Sequence, residues 1–170
     1  VRQILHDYHM PEKYTEVREW YDGYRFGQEH VYCPWDVLNY VKDHTADPDL
    51  APAAYWVNSS SNAIVKSLLH QATATVKDQI EMLIEGGTIH IPLVQELTYQ
   101  DLDIVDESQR MGYLWSILYT TGYLTDAGER MGRSHRLRIP NKEIQEIFVL
   151  QIEKWFSEIM LRSPVKGSGV

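Results

Sequence analysis

Cysteine is almost missing from this chain. Its 170 residues hold one, Cys33, which excludes an internal disulfide framework and any all-cysteine zinc site. A lone thiol points to a reducing compartment, so a cytoplasmic location is expected. Long apolar runs are missing as well: none approaches the roughly 20 residues of a membrane span, and no signal peptide is visible. Positive charge is scarce, with 16 Lys and Arg against 24 Asp and Glu and a formal net charge of −8. A protein that works by coating itself with nucleic acid would be basic, which disfavours that role for the whole chain. An initiator methionine is also missing. The chain starts Val1-Arg2-Gln3-Ile4-Leu5, and the expectation is a piece of a longer protein.

What remains is an ordinary globular mixture, 44% hydrophobic and 24% charged. A chain of this size buries roughly 70% of the surface it exposes when unfolded, so it needs neither disulfide nor metal to fold. Aromatics are plentiful, with 11 Tyr and 5 Trp, and an aromatic core with an interface is the expected use.

Periodicity places the elements. Pro11 opens a helix whose Tyr14, Val17, Trp20 and Tyr21 share a face, and Gly23 ends it. Tyr24-Arg25-Phe26 and Val31-Tyr32 flank Gly27-Gln28-Glu29-His30 as a small hairpin. Pro34 starts a second helix with Val37, Leu38 and Val41 facing inward, and Cys33 reads as its cap. Tyr55-Trp56-Val57 reads as a short buried strand or extended segment. Asn58-Ser59-Ser60-Ser61-Asn62 then caps a helix that buries Ile64, Val65, Leu68 and Leu69. A further helix carries Val76, Ile80, Leu83 and Ile84 and stops at Gly86-Gly87. Ile89, Ile91 and Leu93 alternate in a strand that Pro92 confines to an edge. Met111, Leu114, Trp115, Leu118 and Tyr119 mark a helix ended by Gly122. Residues 123–125 and 135–139 form a hairpin. Asn141 caps a last helix with Ile144, Ile147, Phe148, Ile152, Trp155, Phe156 and Ile159 in one stripe. The order of helix, hairpin and late helix resembles a winged-helix arrangement. The fold class expected is mainly α, of the α+β type. A helical lid-like subdomain over 1–71 precedes a winged-helix-like subdomain with short β-hairpins over 72–162, and 163–170 form a flexible tail.

Catalytic constellations are hard to find. No Gly-x-x-x-x-Gly-Lys-Ser/Thr phosphate loop can be written from the sequence. Asp101, Asp103, Asp106 and Glu107 fail the EF-hand template, because Val105 takes the fifth position and the glycine of the sixth is missing. Their charge suits a helix entry instead. His30 and Cys33 lack the further ligands zinc needs, so no metal site is expected. Ser59 to Ser61 lack a nucleophile elbow. The hairpin over 126–138 is the one basic patch. Arg130, Arg133, Arg136 and Arg138 face only Asp126 and Glu129, leaving it +2 and the rest of the chain −10. These four arginines are the candidates for touching a nucleic-acid backbone.

Three stretches resemble one family. They are Glu19-Trp20-Tyr21-Asp22-Gly23-Tyr24-Arg25-Phe26-Gly27, then Val31-Tyr32-Cys33-Pro34-Trp35-Asp36-Val37-Leu38-Asn39-Tyr40, then Tyr55-Trp56-Val57-Asn58-Ser59-Ser60-Ser61-Asn62. Together with Thr121-Gly122-Tyr123-Leu124-Thr125 and the run from Leu137 to Ile144, they look like the C-terminal part of bacterial AAA-ATPase-like proteins. Those are predicted ATPases usually fused to a PD-(D/E)XK superfamily nuclease domain. Cys33 stands where that family usually has Asn, and both the phosphate-binding portion and the nuclease core are missing here.

The resemblance implies a lid and linker rather than a catalyst. Tyr24, Arg25, Pro34 and Trp35 would face nucleotide, with Arg25 reaching a phosphate. The implied partners are an upstream ATP-binding core and a downstream nuclease-like domain of one parent chain, with no membrane. ATP and Mg are implied for the parent only, and no cofactor for this fragment. The alternative is a nucleic-acid-binding winged-helix module using the Arg130–Arg138 hairpin.

Overall fold

The computed structural model describes residues 1–58, 73–94, 107–128, 132–150 and 154. Within them the chain is an α+β protein with two small antiparallel sheets. The expected helix after Asn58, the acidic run before Glu107, Arg130, the apolar stripe beyond Leu150 and the tail lie outside the described residues.

A helix that periodicity did not suggest comes first. α1 (Arg2–Asp7) is six residues long and buries Leu5 completely. A 3-10 turn at Pro11–Lys13 leads into α2 (Tyr14–Tyr21), which buries Val17 and Tyr21 four residues apart. Gly23 then turns the chain with φ +111°, and a Cβ there would collide with the Pro140 carbonyl oxygen. Only glycine permits both the backbone angle and that approach.

β1 (Tyr24–Phe26) pairs with β2 (Glu29–Val31), so Glu29 and His30 belong to the strand rather than to the turn. Gly27 has φ +63° whereas Gln28 is not left-handed, the pattern of a type II′ hairpin turn. α3 (Pro34–Ala46) starts on Pro34 as anticipated, but its buried stripe is Asp36, Val37, Tyr40, Val41 and His44. Leu38 is exposed, because Tyr40 and His44 rotate the helix so that the polar-looking side packs inward. Cys33 takes the N-cap position without a side-chain capping bond. These elements build a first core around Leu5, Val17, Tyr21, Val37 and Tyr40.

Tyr55–Asn58 is a 3-10 turn, not a strand. The Trp56 N–H bonds the Glu143 carboxyl at 2.8 Å, so it is not available to a ladder. Tyr55 packs on the first core and Trp56 on the second.

The second core begins with α4 (Ala74–Ile84), capped by the Thr73 hydroxyl on Val76 N–H. It ends in paired bonds from Gly87 N–H to Met82 O and from Gly86 N–H to Leu83 O, a Schellman closure. β3 (Ile89–Pro92) follows, burying Ile89 and Ile91 and exposing His90 and Pro92. After α5 (Glu107–Thr120) come β4 (Thr125–Asp126) and β5 (Ser134–Arg138). The sheet order is β3-β5-β4, all antiparallel, with Ile89 opposite Leu137 and Thr125 opposite Arg138. Pro92 therefore sits at an edge, where its missing N–H breaks no ladder. α6 occupies residues 142–150; the Asn141 side chain accepts from Ile144 N–H at 3.1 Å, the capping bond its sequence suggested. Ile144, Ile147 and Phe148 close the core against Leu118, Tyr123 and Leu137.

Candidate functional site

The two cores meet along the hairpin β1–β2. Arg25 N–H donates to the Thr125 hydroxyl at 2.9 Å, and the Arg138 guanidinium donates to Gly23 O at 3.0 Å. Lys142 bonds Glu19 across the same seam. Beside it opens a groove of about 500 Å³. One wall is Tyr24, Phe26, Tyr32, Cys33 and Pro34; the other is Trp56, Tyr119, Thr120, Thr121 and Leu124. Both cores thus contribute.

Three of the four residues expected to face nucleotide come together there: Tyr24, Arg25 and Pro34. Trp35 does not. It lies on the first turn of α3 with 63% of its surface exposed, outside the groove lining. On that turn Trp35 is exposed and Asp36 is buried.

Arg25 is the one charged residue in the described lining. Its Nε donates to Gly27 O at 2.9 Å, folding the side chain back over its own hairpin. A Cβ on Gly128 would come within 2.9 Å of an Arg25 terminal nitrogen, so the small residue leaves the guanidinium room. The rest of the lining is aromatic or aliphatic, with threonine hydroxyls on one side. Thr120 and Thr121 spend theirs on carbonyls one turn back in α5. Such a surface suits a planar apolar ring better than a triphosphate.

The arginine patch divides. Arg133 is exposed. Arg136 is exposed, with its Nε 3.1 Å from the Thr88 hydroxyl. Arg138 is half-buried and turned inward onto Gly23 O, where it joins the cores. The alternation of β5 puts Arg136 and Arg138 on one face, with Leu137 buried on the other.

Under the groove lies a polar group that composition and spacing did not reveal. Asp36 and Glu143 are both fully buried. Burial raises Asp36 above the usual carboxylate range, and burial followed by the nearby Asp36 charge pushes Glu143 up to about 8. The Cys33 thiol is pushed up to about 12, by burial first and then by the neighbouring Asp36 carboxyl. That direction favours the neutral thiol over the thiolate. Tyr24 Oη and Trp56 Nε1 are buried beside these groups without a partner. The group's one trace in the sequence is that Asp36, Tyr40 and His44 stand four residues apart and so share a helix face. Among the described residues no cluster of His, Cys, Asp and Glu has the makings of a metal site.

No family model, curated protein or solved structure matches this chain.

Proposed function

We propose that this chain is a lid and linker segment, without catalysis of its own, which couples the nucleotide state of an ATP-binding core to a downstream effector. The observation that carries the reading is the convergence of Tyr24, Arg25 and Pro34 on one groove walled by both cores. A ring placed there would contact the hairpin, the start of α3 and the end of α5 together, so its presence or absence would bias how the cores sit. Coupling needs that kind of differential contact. Arg25 is the one charged residue of the described lining, so the phosphates, and the Mg that accompanies them, are assigned to the parent's core. The AAA-ATPase-like resemblance and a cytoplasmic setting belong to the same proposal. Among the described residues no helix is long and apolar enough to cross a membrane.

A second reading is a winged-helix module that touches a nucleic-acid backbone. The sheet order β3-β5-β4, with β4–β5 as the wing and α5 before it, supports it, as do the exposed Arg133 and Arg136. Arg138 is already engaged with Gly23, which thins the patch.

One set of titrations tests both. ATP added to the 170-residue chain is expected to leave tryptophan fluorescence unchanged, whereas Arg25→Ala in a longer chain that includes the ATP-binding core weakens nucleotide binding. An Arg25→Ala parent with unaltered nucleotide response removes the lid role of that residue. Sub-micromolar duplex binding at physiological salt, lost when Arg133 and Arg136 become Ala, establishes the second reading instead.

A further inference from the structure

The carboxyl pair at the junction has a use that the groove does not explain. Asp36 lies in the first turn of α3 and Glu143 in the first turn of α6, so each core supplies one. Neither exposes any surface. Glu143 Oε1 accepts the Trp56 N–H, but neither oxygen of Asp36, nor Glu143 Oε2, meets an N–H or hydroxyl donor. Three orphaned carboxyl oxygens in a closed site would oppose folding strongly. One retained proton and one thiol resolve them. A proton kept on Glu143 and the Cys33 S–H, the two groups whose hydrogen-bonding acts on the Asp36 carboxyl, are the donors that would serve these oxygens.

We propose that Asp36 and Glu143 share a single proton and, with the Cys33 thiol, form a latch between the two cores that holds while the proton is kept and loosens when it leaves. Loss of the proton to solvent leaves two buried carboxylates side by side with one donor fewer. The groups facing the pair cannot compensate. Tyr21 from α2, Tyr24 from β1 and Tyr55 from the following turn stay neutral because burial raises all three. Arg138 on β5 is spent on Gly23 O, and Lys142 beside Glu143 pairs with Glu19. Cys33 and Trp56, which touch the latch, also wall the groove, so loosening it reshapes the groove. The proposal goes beyond the lid reading and does not depend on it.

The direction with pH follows from linkage. Glu143 rises from an ordinary 4.5 to about 8 in the folded chain, so the folded state holds the extra proton between those values. The latch contributes fully below the lower value and is lost as pH rises through the upper one.

Carboxyl carbon-13 titration of the chain, with thermal melts at about pH 6 and about pH 9, tests this. One side-chain carboxyl is expected to titrate above about pH 7 and to vanish in Glu143→Gln. The melting temperature is expected to be several degrees lower at the alkaline value in the unaltered chain, with most of that drop gone in Glu143→Gln. Asp36→Asn, by removing the neighbouring charge, moves the Glu143 midpoint toward acid. If every carboxyl titrates below about pH 6, the latch does not exist. An alkaline drop undiminished in Glu143→Gln, or an Asp36→Asn midpoint that stays put, overturns it too. Should Glu143→Gln fail to fold, the titration of the unaltered chain decides alone.

Discussion

The two cores are held by different kinds of contact. In the first, the large buried side chains carry hydroxyls, and each hydroxyl has a partner. Tyr21 Oη donates to Ala53 O at 3.0 Å and accepts from Ala53 N–H at 3.3 Å. Tyr40 donates to Glu16, and Tyr55 to Asp43. His44, stacked on Tyr40 at 3.6 Å, sets its two ring nitrogens against the Tyr40 and Leu50 carbonyls. The second core is mainly aliphatic, with Ile80, Leu83, Leu114, Leu118 and Leu137 packed against Phe148 and Tyr123. Directional bonds fix where each ring of the first core sits, so it tolerates little chemical change at constant volume. The second is held by area and shape, so it tolerates swaps that keep volume.

The largest effect is expected where the two regions touch. Gly23→Ala forces a left-handed backbone on an L-residue and drives its Cβ into the Pro140 carbonyl, which must shift. A loss of about 3–5 kcal/mol is expected in denaturant unfolding. A loss below about 1 kcal/mol would mean the seam yields easily and the cores are less firmly joined than their bonds suggest.

Next comes a matched pair of near volume-conserving changes. Tyr21→Phe deletes one oxygen but leaves the Ala53 N–H and carbonyl unpaired in a half-buried setting. About 1–3 kcal/mol is expected. Leu118→Met, in the second core, is expected to cost under about 1.5 kcal/mol and less than Tyr21→Phe in the same assay. Equal losses, or the reverse order, break the contrast between a bonded core and a packed one.

The contrast also accounts for what the sequence made legible. The second core was readable because aliphatic periodicity is local: Val76, Ile80 and Leu83 on α4, alternation along β3, and the Asn141 cap all follow from spacing. So were Pro34 as a helix start and Gly86 as a stop. The first core was read less well because its buried face includes Asp36, Tyr40 and His44, residues that hydropathy assigns to the outside. Leu38 was assigned inward for the same reason and is exposed. Tyr55-Trp56-Val57 was misread as a strand or extended segment because its conformation depends on a bond to Glu143, 87 residues away from Trp56. Of the candidate groove, Tyr24, Arg25 and Pro34 were legible through a family resemblance, while Trp56 and the Thr120-Thr121 wall were not. Those residues belong to the groove through tertiary packing, and no local pattern announces that.

The smallest expected effect concerns Trp35. A tryptophan on the first turn of a helix with a buried face invites a place in the core, where truncation to alanine would cost about 3–5 kcal/mol. Its ring is instead 63% exposed, and it belongs to neither core. Phe26 at 69% and Leu38 at 57% are also among the large exposed side chains of this region. Removing the ring therefore gives up little buried apolar area, and Trp35→Ala is expected to change stability by no more than about 0.5 kcal/mol. Thermal melts of the two chains measure this directly. Coincident melts leave the ring as surface, available to whatever covers that side of α3 in a larger assembly. A drop of several degrees would instead place the ring in contacts that stabilise the first core. That core would then reach past its bonded tyrosines to the outer side of α3.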